Sequence, residues 1–226
     1  MKVPQHVAFI MDGNRRWARR NQLQIIMGHN KGVDRVEELV EYASELGIDY
    51  MTFWAFSTEN WNRAKEEVDD LMTVFRNLVN GPMIKRMMEK GIRVQTIGDI
   101  SAFPQDIFTR LEEIKKQSSE NTKVTVVFGL NYGGRFEILR AIGEILRKKI
   151  KNVDEKTFAD YLFTAGMPDP DMIVRTGGEQ RLSGFLPWQT VYAELYFTDT
   201  LWPDFDVKEF QKALDEYSAR ERRFGK

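Results

Sequence analysis

The chain has 226 residues, of which 42% are hydrophobic and 30% charged, and this composition excludes a disordered polymer and a membrane-embedded bundle. With 33 basic and 34 acidic side chains the net charge is −1, so there is no global basic field for nucleic acid. Any anion site must be assembled locally from a few arginines. Cysteine is absent and only His6 and His29 are present, which removes disulfides, thiolate metal sites, a thiol nucleophile and a multi-histidine metal cluster together.

In chain order, the first expected element is the apolar run Val7–Met11, which stops at Asp12 and is too short for a signal peptide. Further runs that read as buried strands are Met51–Phe56 before Ser57, Val94–Ile97 before Gly98, Val124–Leu130 before Asn131, Met172–Val174 before Arg175, and Leu195–Phe197 before Thr198. Between them lie segments of helical period: Val33–Leu46, Leu71–Met88, Phe108–Lys116 and Phe136–Ile150. Strands that are apolar on both faces, alternating with helices, predict an α/β fold with a mainly parallel central sheet of about six strands flanked by helices. No repeat or linker divides the chain, so residues 1–226 are expected to form a single domain. No apolar run approaches the ~20 residues of a spanning helix. A soluble, intracellular protein is the expectation.

Ligands of open parallel sheets bind beyond the carboxyl ends of the strands. Asp12, Ser57, Asn131 and Arg175 would share that edge. Asp12-Gly13-Asn14-Arg15-Arg16-Trp17 places a hard oxygen ligand beside guanidinium forks entering a helix, a set that suits Mg²⁺ and a diphosphate and could also be an ordinary turn. Ser57-Thr58-Glu59-Asn60-Trp61-Asn62-Arg63 brings hydroxyl, amide and guanidinium groups to another strand end, where the hydroxyls could equally be helix caps. In Arg175-Thr176-Gly177-Gly178-Glu179-Gln180-Arg181-Leu182-Ser183 a glycine-bearing loop carries phosphate-binding side chains, and neither a Walker A nor a Rossmann fingerprint is present. Arg15, Arg16, Arg63, Arg175 and Arg181 all stand just past strand ends. That grouping points to two phosphorylated groups and one divalent cation. His29 precedes the helix expected to start at Val33, where it could meet a phosphate. The Leu71–Met88 segment is apolar over more than one packing face, so it suits a core or a greasy channel.

The segments His6–Ala18, Gly28-His29, Phe56–Arg63, Asn131–Arg135, Asp171–Ser183, Tyr192–Asp199 and Leu201–Phe205 resemble, in order, the motifs of the cis-prenyltransferase family, in particular its bacterial undecaprenyl-diphosphate-forming branch. The resemblance covers residues 6 to 205. It implies repeated cis addition of isopentenyl diphosphate to farnesyl diphosphate with Mg²⁺, an apolar tunnel whose wall is formed by Leu71–Met88, Ala55 and Val124, and a polyprenyl diphosphate product that serves as lipid carrier for cell-wall synthesis. It also implies a homodimer in the cytoplasm, peripheral to the inner membrane. Position by position, Asp12 matches the essential metal-engaging aspartate, and Gly13, Asn14, Arg15, Arg16, Trp17 and His29 match the allylic-diphosphate site. Ser57, Thr58, Glu59, Trp61 and Arg63 match a substrate-contacting segment, and Asn60 matches the residue assigned as proton acceptor. Arg175, Arg181, Leu182 and Ser183 match the isopentenyl diphosphate site, and Glu194 a second metal carboxylate.

Overall fold

The computed structural model describes residues 2–220. Six strands form one parallel sheet: β1 (His6–Ile10), β2 (Tyr50–Ser57), β3 (Arg93–Ile97), β4 (Thr125–Tyr132), β5 (Met172–Arg175) and β6 (Glu194–Phe197), in spatial order β3-β4-β2-β1-β5-β6. The helices are α1 (Asn14–Arg20), α2 (Ile25–Leu46), α3 (Lys65–Asn80), α4 (Pro82–Glu89), α5 (Gln105–Gln117), α6 (Gly134–Arg147), α7 (Glu155–Ala159) and α8 (Val207–Ala219).

Because side chains alternate across a strand, the sheet feeds two cores. Val7, Phe9, Met51, Phe53, Val126 and Val174 pack on one face with α2, α3, α4, α5 and α8. Ala8, Ile10, Val127 and Ile173 pack on the other with Tyr132, Phe185 and Leu186. Both faces are thus covered, as the uninterrupted apolar strands require. The chain leaves β1 toward β2 on one side and β5 toward β6 on the other. The adjoining ends of β1 and β5 are therefore the place where connections diverge and a crevice opens.

Three helical expectations need correction. Helix α2 begins at Ile25, eight residues before Val33, so His29 lies inside the helix. Gly28 and Gly32 in its first turns are close-packing positions: a Cβ on Gly28 would come within 2.3 Å of the Asn14 carbonyl oxygen, and one on Gly32 within 2.7 Å of Trp202. The Leu71–Met88 segment is two helices, because Gly81 ends α3 and Pro82 opens α4 at a position where its missing N–H costs nothing. Helix α8 forms over a stretch where no element was expected; Phe210, Ala213, Leu214 and Tyr217 bury its inner face.

Candidate active site

Asp12 stands two residues past β1, and Arg175 is the last residue of β5. Arg175 Nη2 donates to Asp12 Oδ2 at 3.0 Å, and Arg16 Nη2, one turn into α1, donates to Asp12 Oδ1 at 3.1 Å. Gly13 connects strand and helix at φ +114°, a conformation only glycine adopts freely, and a Cβ there would press on Leu201. The buried Arg175 also donates from Nη1 to Ser183 Oγ at 2.8 Å and to the Arg181 carbonyl. One guanidinium thereby fixes the Arg181–Ser183 loop against the carboxylate.

These groups form the polar end of a cavity of about 690 Å³. Gly13, Asn14, Arg15, Arg16, Arg63, His29, Ser57, Glu59, Asn60 and Ser183 also line it. Its other end is apolar: Val36 from α2, Leu71, Val74, Phe75 and Leu78 from α3, Met83 from α4, with Ala55 and Phe128 from the sheet. Positions 71, 74, 75 and 78 are one helical face, while Met72 and Val79 go to the core. The α3 segment is therefore both cavity wall and core. Val124 is not a wall residue; it precedes β4 at the opposite end of the sheet and is buried in the core.

Charge is concentrated at the polar end. Glu67 Oε1 accepts from Arg63 Nη1 at 2.7 Å and lies 3.6 Å from Arg15 Nε, so one carboxylate gathers two cations that face the cavity. His29, beneath them, is pulled down to a pKa of about 4, first by burial and then by Arg63, with Arg15 adding to the effect and Glu67 opposing it. It is neutral at pH 7. Asn14 Oδ1, His29 Nε2 and Arg175 Nε are buried and find no hydrogen-bond partner among the described residues. Such orphaned polar atoms around one cavity mark a place built for a polar ligand.

Several expected residues stand elsewhere. Trp17 Nε1 donates to Asp204 Oδ1 at 2.7 Å and ties α1 to the Trp202–Asp204 turn. Arg181 pairs with Glu179 and points outward, and Leu182 packs on the smaller core. Thr58 and Trp61 belong to the same turn as Asn60 but do not line the cavity. Glu194 is not brought to Asp12. It is the first residue of β6, at the amino edge of a parallel sheet, and its Oε2 accepts from Arg220 Nη1 at 2.9 Å. No cluster of three or more metal-ligating side chains occurs among the described residues. Arg19 and Trp202 join the cavity wall without having been singled out. The first could have been found from its spacing, one helical turn beyond Arg15 and Arg16. The second belongs to the Leu201–Phe205 motif, which spacing alone gives no role.

A carboxylate ringed by arginines at a sheet switch point, opening into an apolar chamber, defines a protein that handles a phosphorylated head and a greasy tail together. Residues 10–225 match the family described as "Putative undecaprenyl diphosphate synthase", and the chain belongs to this family of prenyltransferases. It is 44% identical to the isoprenyl transferase of Aquifex aeolicus, over the whole of this chain and 97% of the relative. It is 43% identical to the farnesyl-diphosphate-specific ditrans,polycis-undecaprenyl-diphosphate synthase of Micrococcus luteus, over 99% and 92% of the two chains. Among solved structures, lavandulyl diphosphate synthase from Lavandula x intermedia in complex with dimethylallyl diphosphate superposes with a TM-score of 0.94 at 35% identity, covering 99% of each chain. A probable undecaprenyl diphosphate synthase from Campylobacter jejuni gives 0.83 at 31% identity over the full length of both.

Proposed function

We propose that the protein condenses isopentenyl diphosphate repeatedly onto farnesyl diphosphate to build a long-chain polyprenyl diphosphate of undecaprenyl type. The observation that carries this reading is the single cavity that joins five lining arginines and Asp12 to an apolar chamber walled by α2 and α3. Arg15, Arg16, Arg19 and Arg63 with His29 would take the allylic diphosphate, and Arg175 with Ser183 the second diphosphate. Asp12 stands between the two groups.

The donor set fits Mg²⁺. This ion needs oxygen ligands, keeps several waters, and is usually held by one or two carboxylates together with substrate phosphates. Asp12 supplies the carboxylate, and the arginines bring phosphate oxygens beside it. When bound, the cation adds to the neutralisation of the departing diphosphate. The guanidinium groups stabilise the same negative charge as the allylic C–O bond breaks, and they act from fixed positions. A carbon–carbon bond forms to the double bond of isopentenyl diphosphate, and one proton then leaves the adduct. Asn60 Oδ1 accepts from the Ser57 backbone N–H at 3.0 Å, which leaves its amide N–H groups to orient a phosphate oxygen or water as the proton acceptor. An amide is too weak a base for that role itself. Leu71, Val74, Phe75 and Leu78 offer the growing chain an apolar path away from water.

The described helices include none long and apolar enough to cross a membrane. A cytoplasmic enzyme that delivers its product to the inner membrane for cell-wall synthesis agrees with that. A homodimer is supported by α6, where Phe136, Leu139, Ile142 and Leu146 form an exposed apolar stripe. The test is release of inorganic diphosphate with each substrate alone and with both. A synthase needs both; release from farnesyl diphosphate alone at the same rate would make the protein a hydrolase.

A further inference from the structure

The Asn131-Tyr132-Gly133-Gly134 segment reaches the active-site edge of the sheet, yet none of its residues lines the cavity. Asn131 is buried and holds φ +48°, a left-handed conformation that asparagine tolerates better than most residues. Both ends of its side chain are committed. Oδ1 accepts from Trp61 Nε1 at 2.9 Å, and Nδ2 donates to the Asp99 carbonyl at 2.9 Å. Trp61 belongs to the turn Thr58–Asn62, whose residues Glu59 and Asn60 face the cavity. Two residues on, Gly133 lies so close to that turn that a Cβ would meet Thr58 Oγ1 at 2.4 Å. Gly134 in turn donates its N–H to the Gly184 carbonyl at 2.9 Å, and a Cβ there would strike Pro187 at 2.1 Å. Gly184 follows Ser183, which Arg175 holds.

We propose that Asn131 is a positioning residue for the prenyl-transfer reaction: through Trp61 it sets the turn that presents Asn60, on a platform that also carries the Ser183 loop. The role rests on the proposed function and concerns orientation of the reacting groups. Trp61 is further pinned by ring contacts with Phe56 and Phe103, so the Asn131 bond fixes a rigid lever whose other arm is Asn60. Misplacement at the reacting centre lowers the rate more than the affinity.

The experiment compares wild type with Asn131→Gly, Asn131→Asp, Trp61→Phe and the Asn131→Gly/Trp61→Phe double variant. Glycine keeps the backbone conformation and removes both bonds; aspartate keeps the acceptor for Trp61. Asn131→Gly is expected to lower kcat about 10- to 100-fold with both Michaelis constants within about threefold, a split that marks lost orientation. Asn131→Asp should recover at least half of that loss on a logarithmic scale. The double variant should be no slower than the slower single variant, because both remove the same bond. Amide exchange over residues 57–63 should quicken in Asn131→Gly while β1 and β2 keep their protection. Unchanged kcat in Asn131→Gly, or multiplicative losses in the double variant, would overturn the assignment and leave the prenyltransferase reading intact. Failure of the wild type to turn over the two substrates would refute that reading instead, and the exchange comparison would still judge whether Asn131 sets the turn.

Discussion

Arg175→Ala removes the side chain that joins the two halves of the site. In the native protein its guanidinium donates to Asp12 Oδ2 at 3.0 Å and to Ser183 Oγ at 2.8 Å, and its side chain is only 6% exposed. The substitution therefore withdraws a cation from the second diphosphate and frees the Arg181–Ser183 loop. One charge-assisted contact contributes about 1.5–3 kcal/mol, so the Michaelis constant for isopentenyl diphosphate should rise roughly 10- to 150-fold. The constant for farnesyl diphosphate should stay within roughly threefold, because Arg15, Arg16, Arg19 and Arg63 are untouched. Arg175→Lys keeps the charge and loses the fork that spans Asp12 and Ser183, so its effect should fall in between. Initial rates, with each substrate varied against saturating amounts of the other, read both constants. Equal weakening of both substrates, or no change in either, would refute the division into two subsites.

Asp12→Ala should cost several orders of magnitude in turnover while the protein stays folded and still binds farnesyl diphosphate, checked by single-turnover rates beside a melting curve; near-normal turnover would sink the role of the carboxylate. Val74→Trp narrows the apolar end of the cavity, so it should shorten the product while sparing the first condensations, read by chromatography of the dephosphorylated alcohols. If Val74 were only core, overpacking would cost about 1–3 kcal/mol of stability and the product would keep its length. Stability should also depend on pH through His6, which is fully buried between the Pro168 carbonyl and Thr52 and held to a pKa of about 4 chiefly by that burial. The folded state prefers the neutral ring, so this contribution is complete above about pH 6.5 and is lost as pH falls toward 4, by on the order of 3 kcal/mol. Melting temperatures of wild type and His6→Gln should converge over that interval; parallel curves would contradict the assignment.

The strand ends were readable because a fully buried parallel strand leaves an uninterrupted apolar run that stops where the chain meets water. This put Asp12, Ser57 and Arg175 at one edge, and that edge is where the cavity lies. Asn131 shares the edge and serves from behind, a difference no pattern in the sequence reveals, since it depends on a bond to Trp61 seventy residues away. Arg181, matched by resemblance to the isopentenyl diphosphate site, does not line the cavity, for a related reason. Its backbone carbonyl is held by Arg175, and its side chain is left to solvent and Glu179. Glu194 was placed by resemblance, and within the chain it opens its strand at the far edge beside Arg220. Helix α2 was read too short because its apolar period was counted only from Val33; its first turns carry Gly28 and Gly32, which let α1 and Trp202 approach closely.

The central claim is repeated condensation at one site that binds a diphosphate head and shelters an apolar tail. Its most direct test is to incubate the enzyme with farnesyl diphosphate, an excess of isopentenyl diphosphate and Mg²⁺, remove the phosphates, and separate the alcohols by chain length. A ladder of polyprenols ending in a long-chain product is the expected result. A single short condensation product, or farnesol alone, would contradict it.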